Sequence, residues 1–563
     1  KTAKTYILYR EQRRLKREML KVHKKSHDGG DSTDLSLLVD SGARDQVFGW
    51  DKAKIASALV TEAHVPEDVA WGVSSAVEEK VIKSGIKRIS TDLIRALVDN
   101  ELFERGYTNK LEKQSILGMP KYDVQMLVYS KSKENSNITA NNPEAINLAI
   151  AENTLKKYAL QEIFSAEVTK AHQQGSIHLH DLGYPTRTYC SSHSLEYIKK
   201  YGLSLGNLDT SSAPAKHART LTGHLNTFLA SMQAYYAGAL GVGYINIFYA
   251  PYIEGMTDKQ IKQEAQHLIY SCSQSAFSRG GQTLFLDFNI HTGVPGYLRD
   301  IEAIGPGGKY TGRTYADYED TAIRFTKAML EVWREGDCNG RLFAFPKCDL
   351  HVNADTFKDP KQYDILKMAC KIASENGSPY FVFDRDEVTL SACCRLRTTI
   401  DDDYMIKHPE SMRFCGFQNI TVNLPQCAFR AGQGNEEKFY EEVERMIDLA
   451  IQAHLDKRSF IQQLMSAPHL PLWEIGKEAR DGRPYVDLDQ ATYIVGLVGL
   501  NECLHYLTGH ELHESDDMVK QGLRVISFMH KKLKKEGERL NMKFTLEESP
   551  AESATRRMAK VDM

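Results

Sequence analysis

Short β-prone runs at 177–182, 242–249, 283–290, 341–347, 380–384 and 419–426 are separated by long stretches of helical apolar spacing, among them 257–277, 315–335 and 436–455. That alternation is the strongest constraint on the fold. Strands that run parallel need long crossovers, and crossovers of this length are helices lying over a sheet, so the pattern predicts an α/β sheet or barrel. At 563 residues the chain is large enough for two or more domains or one large barrel.

Composition narrows the setting. A hydrophobic share of 42% and a charged share of 26% are those of a globular protein, and a net charge of -3 gives no general pull toward nucleic acid or membrane. No apolar run has the roughly 18 residues a membrane span needs. The stretch 228–248 is interrupted by Gln233, Asn246 and several glycines and reads as core. The first residues hold no secretory signal, and Lys1 in place of methionine suggests a trimmed chain. Ten cysteines in this length are too sparse for a disulfide framework, and no CxxC pair offers a closed zinc site, so no metal is expected. Mostly free thiols in a cytoplasmic protein are the expectation.

In chain order, 1–37 is a basic extension and linker. Arg10, Arg13, Arg14 and Arg17 share one helical side, as a solvated helix or a phosphate-binding arm. Residues 38–118 read as a compact, mainly helical domain: a helix over 66–84, then Ser90-Thr91-Asp92 as an N-cap before a helix over 93–103, with Gly106 as its stop. Residues 119–563 form the larger domain. Its first helix is opened by Asn142-Pro143, and a second ends near Gly175.

Three stretches carry reactive chemistry: Ser391-Ala392-Cys393-Cys394-Arg395-Leu396; Phe414-Cys415-Gly416-Phe417; and Ile177-His178-Leu179-His180-Asp181 with Cys190 behind it. They are expected to meet in one buried site where sulfur does the chemistry. Cys272, Cys338, Cys348, Cys370, Cys427 and Cys503 have no motif around them and are assigned to packing, and Arg397 to a structural ion pair. Small residues in Gly496-Leu497-Val498-Gly499 allow close backbone approach ahead of Asn501 and Glu502.

Two resemblances follow from these residues. Trp50-Asp51-Lys52-Ala53-Lys54-Ile55 and Ile89-Ser90-Thr91-Asp92-Leu93-Ile94 resemble the ATP-cone, the regulatory domain of ribonucleotide reductases. The resemblance implies that Asp51, Lys54 and Ser90 face a nucleotide. Ser41-Gly42-Ala43-Arg44-Asp45 stands where that family has a Lys-Arg-Asp-Gly hairpin. Further on, Gly175-Ser176-Ile177-His178-Leu179-His180-Asp181, Gly281-Gln282-Thr283, Phe345-Pro346-Lys347, Cys394-Arg395, Asn423-Leu424-Pro425 and Gly496 to Glu502 occur in the order found in anaerobic, class III ribonucleotide reductases of the glycyl radical enzyme superfamily.

That resemblance implies a ten-stranded α/β barrel with a central cysteine finger loop. It also implies reduction of ribonucleoside triphosphates by a thiyl radical that abstracts the ribose 3'-hydrogen. Cys394 corresponds to the thiyl site, with Cys393 as the alternative one residue away. Cys190 corresponds to the hydrogen donor on the first barrel strand and His178 to a histidine near the ribose hydroxyls. Cys415 stands near the asparagine pair of formate-using members, which implies a Cys190/Cys415 reductant pair renewed by a thioredoxin- or glutaredoxin-like protein. The stretch 213–252 resembles the long helices that pair two subunits and hold an effector dNTP. The family's glycyl radical loop and its zinc segment do not occur in this sequence, so the radical is expected from outside these residues, generated by an S-adenosylmethionine iron–sulfur activating enzyme. ATP, dATP and dNTPs are the implied effectors, and a homodimer the implied assembly. A non-catalytic nucleotide-sensing paralogue and a glycyl radical enzyme of the formate-lyase or dehydratase type are the alternatives.

Overall fold

The computed structural model describes residues 37–41, 46–111, 117–129, 142–276, 281–385, 387–392, 396–549 and 551–563. The basic stretch 1–25, the loop 42–45 and Cys393, Cys394 and Arg395 lie outside the described residues. The chain divides into two compact units, Lys1–Gly118 and Met119–Met563.

In the first unit β1 (Leu38–Ser41) pairs antiparallel with β2 (Gln46–Gly49) and parallel with β3 (Arg88–Ser90). Against them pack α1 (Lys52–Ala63), α2 (Glu67–Lys83) and α3 (Thr91–Glu104). The caps follow the local chemistry. The Asp51 carboxylate accepts from Ala53 N at 3.0 Å and Ser90 Oγ from Leu93 N at 3.2 Å, each satisfying an orphan N–H at a helix start. Past α3, Gly106 takes φ 81°, as the sequence suggested.

In the second unit a helix at Lys121–Tyr129 precedes α4 (Pro143–Tyr158), whose Asn142 cap bonds Ala145 N, and α5 (Ala166–Gln173). Its main sheet has nine strands among the described residues, in the order β11-β10-β7-β6-β5-β14-β15-β16, with β4 (Ile177–Leu179) also on β14. One parallel group is β5 (Cys190–Ser194), β6 (Leu240–Gly243), β7 (Leu286–His291), β10 (Lys347–Val352) and β11 (Tyr380–Phe383). The other is β14 (Arg413–Asn423), β15 (Thr492–Val498) and β16 (Lys543–Glu548). The groups meet antiparallel at β5 and β14. A small hairpin, β8 (Glu302–Ile304) and β9 (Tyr310–Thr314), stands apart. Helices α6 (Ala218–Met232), α7 (Asp258–Ser273), α8 (Glu319–Glu335), α9 (Pro360–Asn376), α10 (Leu424–Ala431), α11 (Glu436–Leu464), α12 (Leu500–Thr508), α13 (Asp516–Leu540) and α14 (Glu552–Asp562) complete this unit.

Several boundaries differ from expectation. The run 341–347 is not a strand. β10 starts at Lys347, directly after Pro346, which has no N–H to give a ladder. Asn423-Leu424-Pro425 ends β14 and opens α10, because Asn423 caps Gln426 N and Pro425 fits the first helical turn. Of the long helices expected in 213–252, α6 is present and stops at Met232; β6 follows, and the run 242–249, expected as a strand, is helical from Ile245 to Tyr249. Glycine does the work the sequence suggested at the start of α12. A Cβ on Gly496 would lie 1.9 Å from Ser549 Oγ, and one on Gly499 2.4 Å from Pro425.

A second hairpin, β12 (Thr389–Ala392) and β13 (Leu396–Thr399), lies against one face of the sheet. It meets β6 through Gly241, β7 through Asn289, β10 through Asp349, β14 through Gly416 and β15 through Thr492. Strands lie about 4.8 Å apart, so a two-stranded hairpin touches strands this widely separated only if the sheet curls around it. The fold is α/β, built on a curled mixed sheet.

Gly241 and Gly223 give a contrast. A Cβ on Gly241 would stand 2.6 Å from Ser391 O and 2.7 Å from Ser192 Oγ, whereas one on Gly223, an exposed position in α6, meets nothing. Gly241→Ala is expected to lower stability by about 1–3 kcal/mol through overpacking. Gly223→Ala is expected to raise it by up to about 1 kcal/mol. Urea denaturation reads both, and equal midpoints would contradict the hairpin packing.

Candidate active site

The hairpin is held by its base. Asn289 clamps the Ser391 backbone, accepting from Ser391 N at 2.8 Å and donating to Ser391 O at 3.1 Å. Ser391 Oγ donates to Asp349 Oδ2 at 2.8 Å and lies 3.4 Å from His351 Nε2. His351 Nδ1 meets Asp384 Oδ2 at 2.9 Å, and Thr389 Oγ1 donates to the same carboxylate. Tyr244 OH donates to Thr389 O at 2.9 Å, and Lys543 Nζ to Thr399 O at 2.7 Å. Arg397 forms ion pairs with Glu387 and Asp384, as the sequence suggested. Burial pushes the Asp349 carboxyl up to about 6, against the opposing pull of its Ser391 hydrogen bond. Asp384 is also pushed up by burial, but the hydrogen bond and charge of His351 outweigh this and leave it lowered.

His291, His351 and Asp384 bring three donor atoms within 4.8 Å of one another. The His351 nitrogens already face Asp384 and Ser391, and its ring stacks on His291 at 4.4 Å and 24°. Lone pairs of stacked rings run side by side rather than converging, so the cluster fits a hydrogen-bonded support better than a metal site.

Strand register decides where the cysteines point. Cys190 is opposite Gly416, and Cys415 is opposite Ser191. Directly opposed residues share a face, and neighbours along a strand alternate. A Cβ on Gly416 would lie 2.6 Å from Leu396 and 3.7 Å from Cys190 Cβ, so Cys190 is on the hairpin face. Cys415 is on the other face with Phe417, whose ring is 4.9 Å from Tyr493 and 5.7 Å from Lys457 Nζ of α11. The expected Cys190/Cys415 pair is therefore corrected: the alternation directs the two sulfurs to opposite faces. Cys190 is disulfide-bonded, whereas Cys415 is a free thiol. Burial pushes the Cys415 thiol up to about 12, and burial pushes Lys457 down to about 8. Of the cysteines assigned to packing, Cys338 and Cys370 are exposed; Cys272, Cys348, Cys427 and Cys503 are buried.

His178, on β4 opposite Thr421, belongs to a cluster the sequence only hinted at. Its ring is 5.4 Å from that of His172 and 4.6 Å from that of His180. His180 Nε2 meets Thr421 Oγ1 at 2.8 Å. Arg557 of α14, which sequence reasoning missed, donates to His178 Nδ1 at 3.0 Å. No motif marks it, because its partners lie 379 and 385 residues away in the chain.

In the first unit a cavity of about 320 Å³ is lined by Trp50, Asp51, Lys54, Thr91, Ile94 and Arg95, among others. It includes Asp51 and Lys54 of the expected nucleotide residues; Ser90 stands beside it as the cap of α3.

The model of the anaerobic ribonucleoside-triphosphate reductase family matches residues 134–563, and the chain belongs to that family. The enzyme of this name from Enterobacteria phage T4 is 21% identical over 467 residues, 78% of this chain and 74% of that protein. That of Salmonella typhimurium is 20% identical over 516 residues, 87% and 70% respectively. Among solved structures, the anaerobic ribonucleotide reductase of Thermotoga maritima in complex with dATP and CTP matches with a TM-score of 0.59 and 21% identity, covering 82% of this chain and 78% of that one. Among the described residues no helix is long and apolar enough to cross a membrane.

The buried histidines predict acid sensitivity. Burial holds His172, His180, His193 and His454 down at about 3, 4, 3 and 3, with Arg557 adding to the first two and Arg413 to His193. Unfolded histidine titrates near about 6.5, so the unfolded chain takes up protons first. The stabilisation is fully present above that pH and is lost as pH falls toward about 4, at up to about 1.4 kcal/mol per histidine per pH unit. The urea midpoint should change little from about pH 7.5 to 6.5 and then drop steadily to about pH 5; a midpoint that stays flat below about pH 6.5 would refute it.

Proposed function

We propose that this chain reduces ribonucleoside triphosphates to deoxyribonucleoside triphosphates at the curled sheet's hairpin face. The observation that carries the proposal is the β12–β13 hairpin, anchored by Asn289, Asp349, His351 and Tyr244 and bracketing the Cys393-Cys394 pair, with Cys190 on the facing strand. Direct loss of the ribose 2'-hydroxyl is difficult. A thiyl at Cys394, or at Cys393 in the alternative, takes the 3'-hydrogen and lets the 2'-hydroxyl leave as water. Cys190, once reduced to a thiol, gives a hydrogen at C2'. A second thiol supplies the remaining electron and proton, so that the two sulfurs end as a disulfide, and return of the 3'-hydrogen regenerates the thiyl. A thiol suits both roles because its S–H bond is made and broken reversibly. His178 is the histidine at the ribose hydroxyls.

The oxidising equivalent is a glycyl radical, supplied from outside these residues after an S-adenosylmethionine iron–sulfur enzyme has generated it. None of the described clusters fits zinc, which the family holds in its radical-bearing segment. Electrons arrive through thiols, from a thioredoxin- or glutaredoxin-like protein, with Cys190 as the strand-borne partner. Cys415, behind the sheet, serves packing in this reading.

The larger unit is the catalytic domain, which completes to the family's ten-stranded barrel, and 38–118 is an ATP-cone binding ATP and dATP. Subunits pair as a homodimer with an effector dNTP.

The first test uses the protein together with its radical-bearing segment and activating enzyme. Cys394→Ala and Cys190→Ala are expected to abolish turnover with a dithiol reductant, while Cys415→Ala retains most of it. Wild-type turnover by Cys190→Ala would sink the reading, and loss of turnover in Cys415→Ala would restore the cysteine pair. The second test concerns the cone. ATP or dATP should change Trp50 fluorescence, and Lys54→Ala should weaken binding about tenfold, roughly 1.4 kcal/mol. A silent titration, with no heat by calorimetry, would leave the cavity without a nucleotide.

A further inference from the structure

We infer that Arg557 is a positioning residue that fixes His178 as a neutral imidazole with its proton on Nε2. The inference rests on the reading that His178 meets the ribose, and it specifies what that histidine can offer there.

The geometry leaves little freedom. The guanidinium of Arg557 donates from Nε to His178 Nδ1 at 3.0 Å, from Nη1 to His172 O at 2.7 Å and from Nη2 to Ile177 O at 3.1 Å. The two backbone carbonyls orient the guanidinium, so its Nε–H points at one imidazole nitrogen. Arginine has donors only and does not lose its proton in proteins. His178 Nδ1 must therefore be the acceptor, and the single proton of the neutral ring sits on Nε2. His172 is treated alike: its Nδ1 accepts from Leu179 N at 3.2 Å, with Arg557 Nη2 at 3.5 Å.

α14 itself is clamped to the end of β14. Asp562 accepts from Asn423 Nδ2 at 2.8 Å and Gln426 Nε2 at 2.6 Å, and Val561 lies against Gly175. Arg557 is thus delivered to the cluster by a helix fixed at its far end.

The groups acting on His178 from the elements around it are His180 just past β4, His172 of α5, Arg557 of α14 and Lys156 of α4, and every one of them opposes a positive charge. Burial acts in the same direction and is the largest cause. His178 is consequently a fixed hydrogen-bond donor to an oxygen, and the protons that leave with water in the reaction come from elsewhere.

The test is long-range proton–nitrogen NMR on the full chain labelled with [15N]histidine, with His178 assigned by the signal lost in His178→Gln. The expected spectrum is that of the Nε2–H tautomer, without titration between about pH 5.5 and 8.5. In Arg557→Met, the ring should sample both tautomers, while burial, the largest cause, still holds its titration below this window. Arg557→Lys keeps the charge but loses the fork, so it should suppress titration while releasing the tautomer. A wild-type His178 that titrates in this window, or shows the Nδ1–H pattern, overturns the inference even if the variants fail to fold. So does an Arg557→Met spectrum identical to wild type. Failure of the parent reading looks different: His178→Ala would turn over at the wild-type rate while the wild-type tautomer stayed as stated.

Discussion

A hairpin pressed into the hollow of a sheet must find partners for backbone groups that water can no longer reach. In this protein the Asn289 side chain supplies two of them, accepting from Ser391 N and donating to Ser391 O. An unpaired buried amide costs about 1–3 kcal/mol, so the clamp decides whether the hairpin stays inside. Much of the site follows from it. Gly241 and Gly243 are small because the hairpin passes over them, and Asp349, His351 and Asp384 line up behind Ser391 and Thr389. The base of the hairpin is thereby kept from sliding along the sheet.

Strand parity is the second determinant. Shifting a residue by one position along a strand moves its side chain to the other face. Cys415 and Gly416 are neighbours, yet one packs beside Phe417 and Lys457 while the other leaves room for Leu396 and Cys190. A glycine facing Cys190 opens space on the hairpin side. The cysteine behind the sheet is a protonated, buried thiol. Cys190 thereby lies on the hairpin face, and the other face is given to packing against α11.

How much was legible varies by element. Helix ends were readable where the signal is local: Asn142, Ser90 and Gly106 act within a few residues of themselves. The β runs at 177–182, 283–290 and 380–384 overlap strands, but 341–347, 242–249 and 419–426 were misplaced: proline moved one strand start past itself, 245–249 is helical, and Asn423 closed the third strand with a helix cap. The stretch 213–252 has apolar content that suits a helix or a buried strand alike, and packing chose α6 followed by β6. Arg557 was invisible, since nothing near it in the chain suggests histidines almost four hundred residues earlier.

The sequence by itself determined the α/β class, the ordered motifs that tie the chain to anaerobic ribonucleoside-triphosphate reductases, and the cysteines and histidines available for chemistry. Period, capping and residue identity are local properties, and these depend on nothing else. Only the tertiary structure decided which of those groups face one another. The register of β14 on β5 separated Cys415 from Cys190, and the docking of α14 brought Arg557 to His178. Both depend on contacts between segments far apart in the chain, where one residue of register or one helix turn changes the partner.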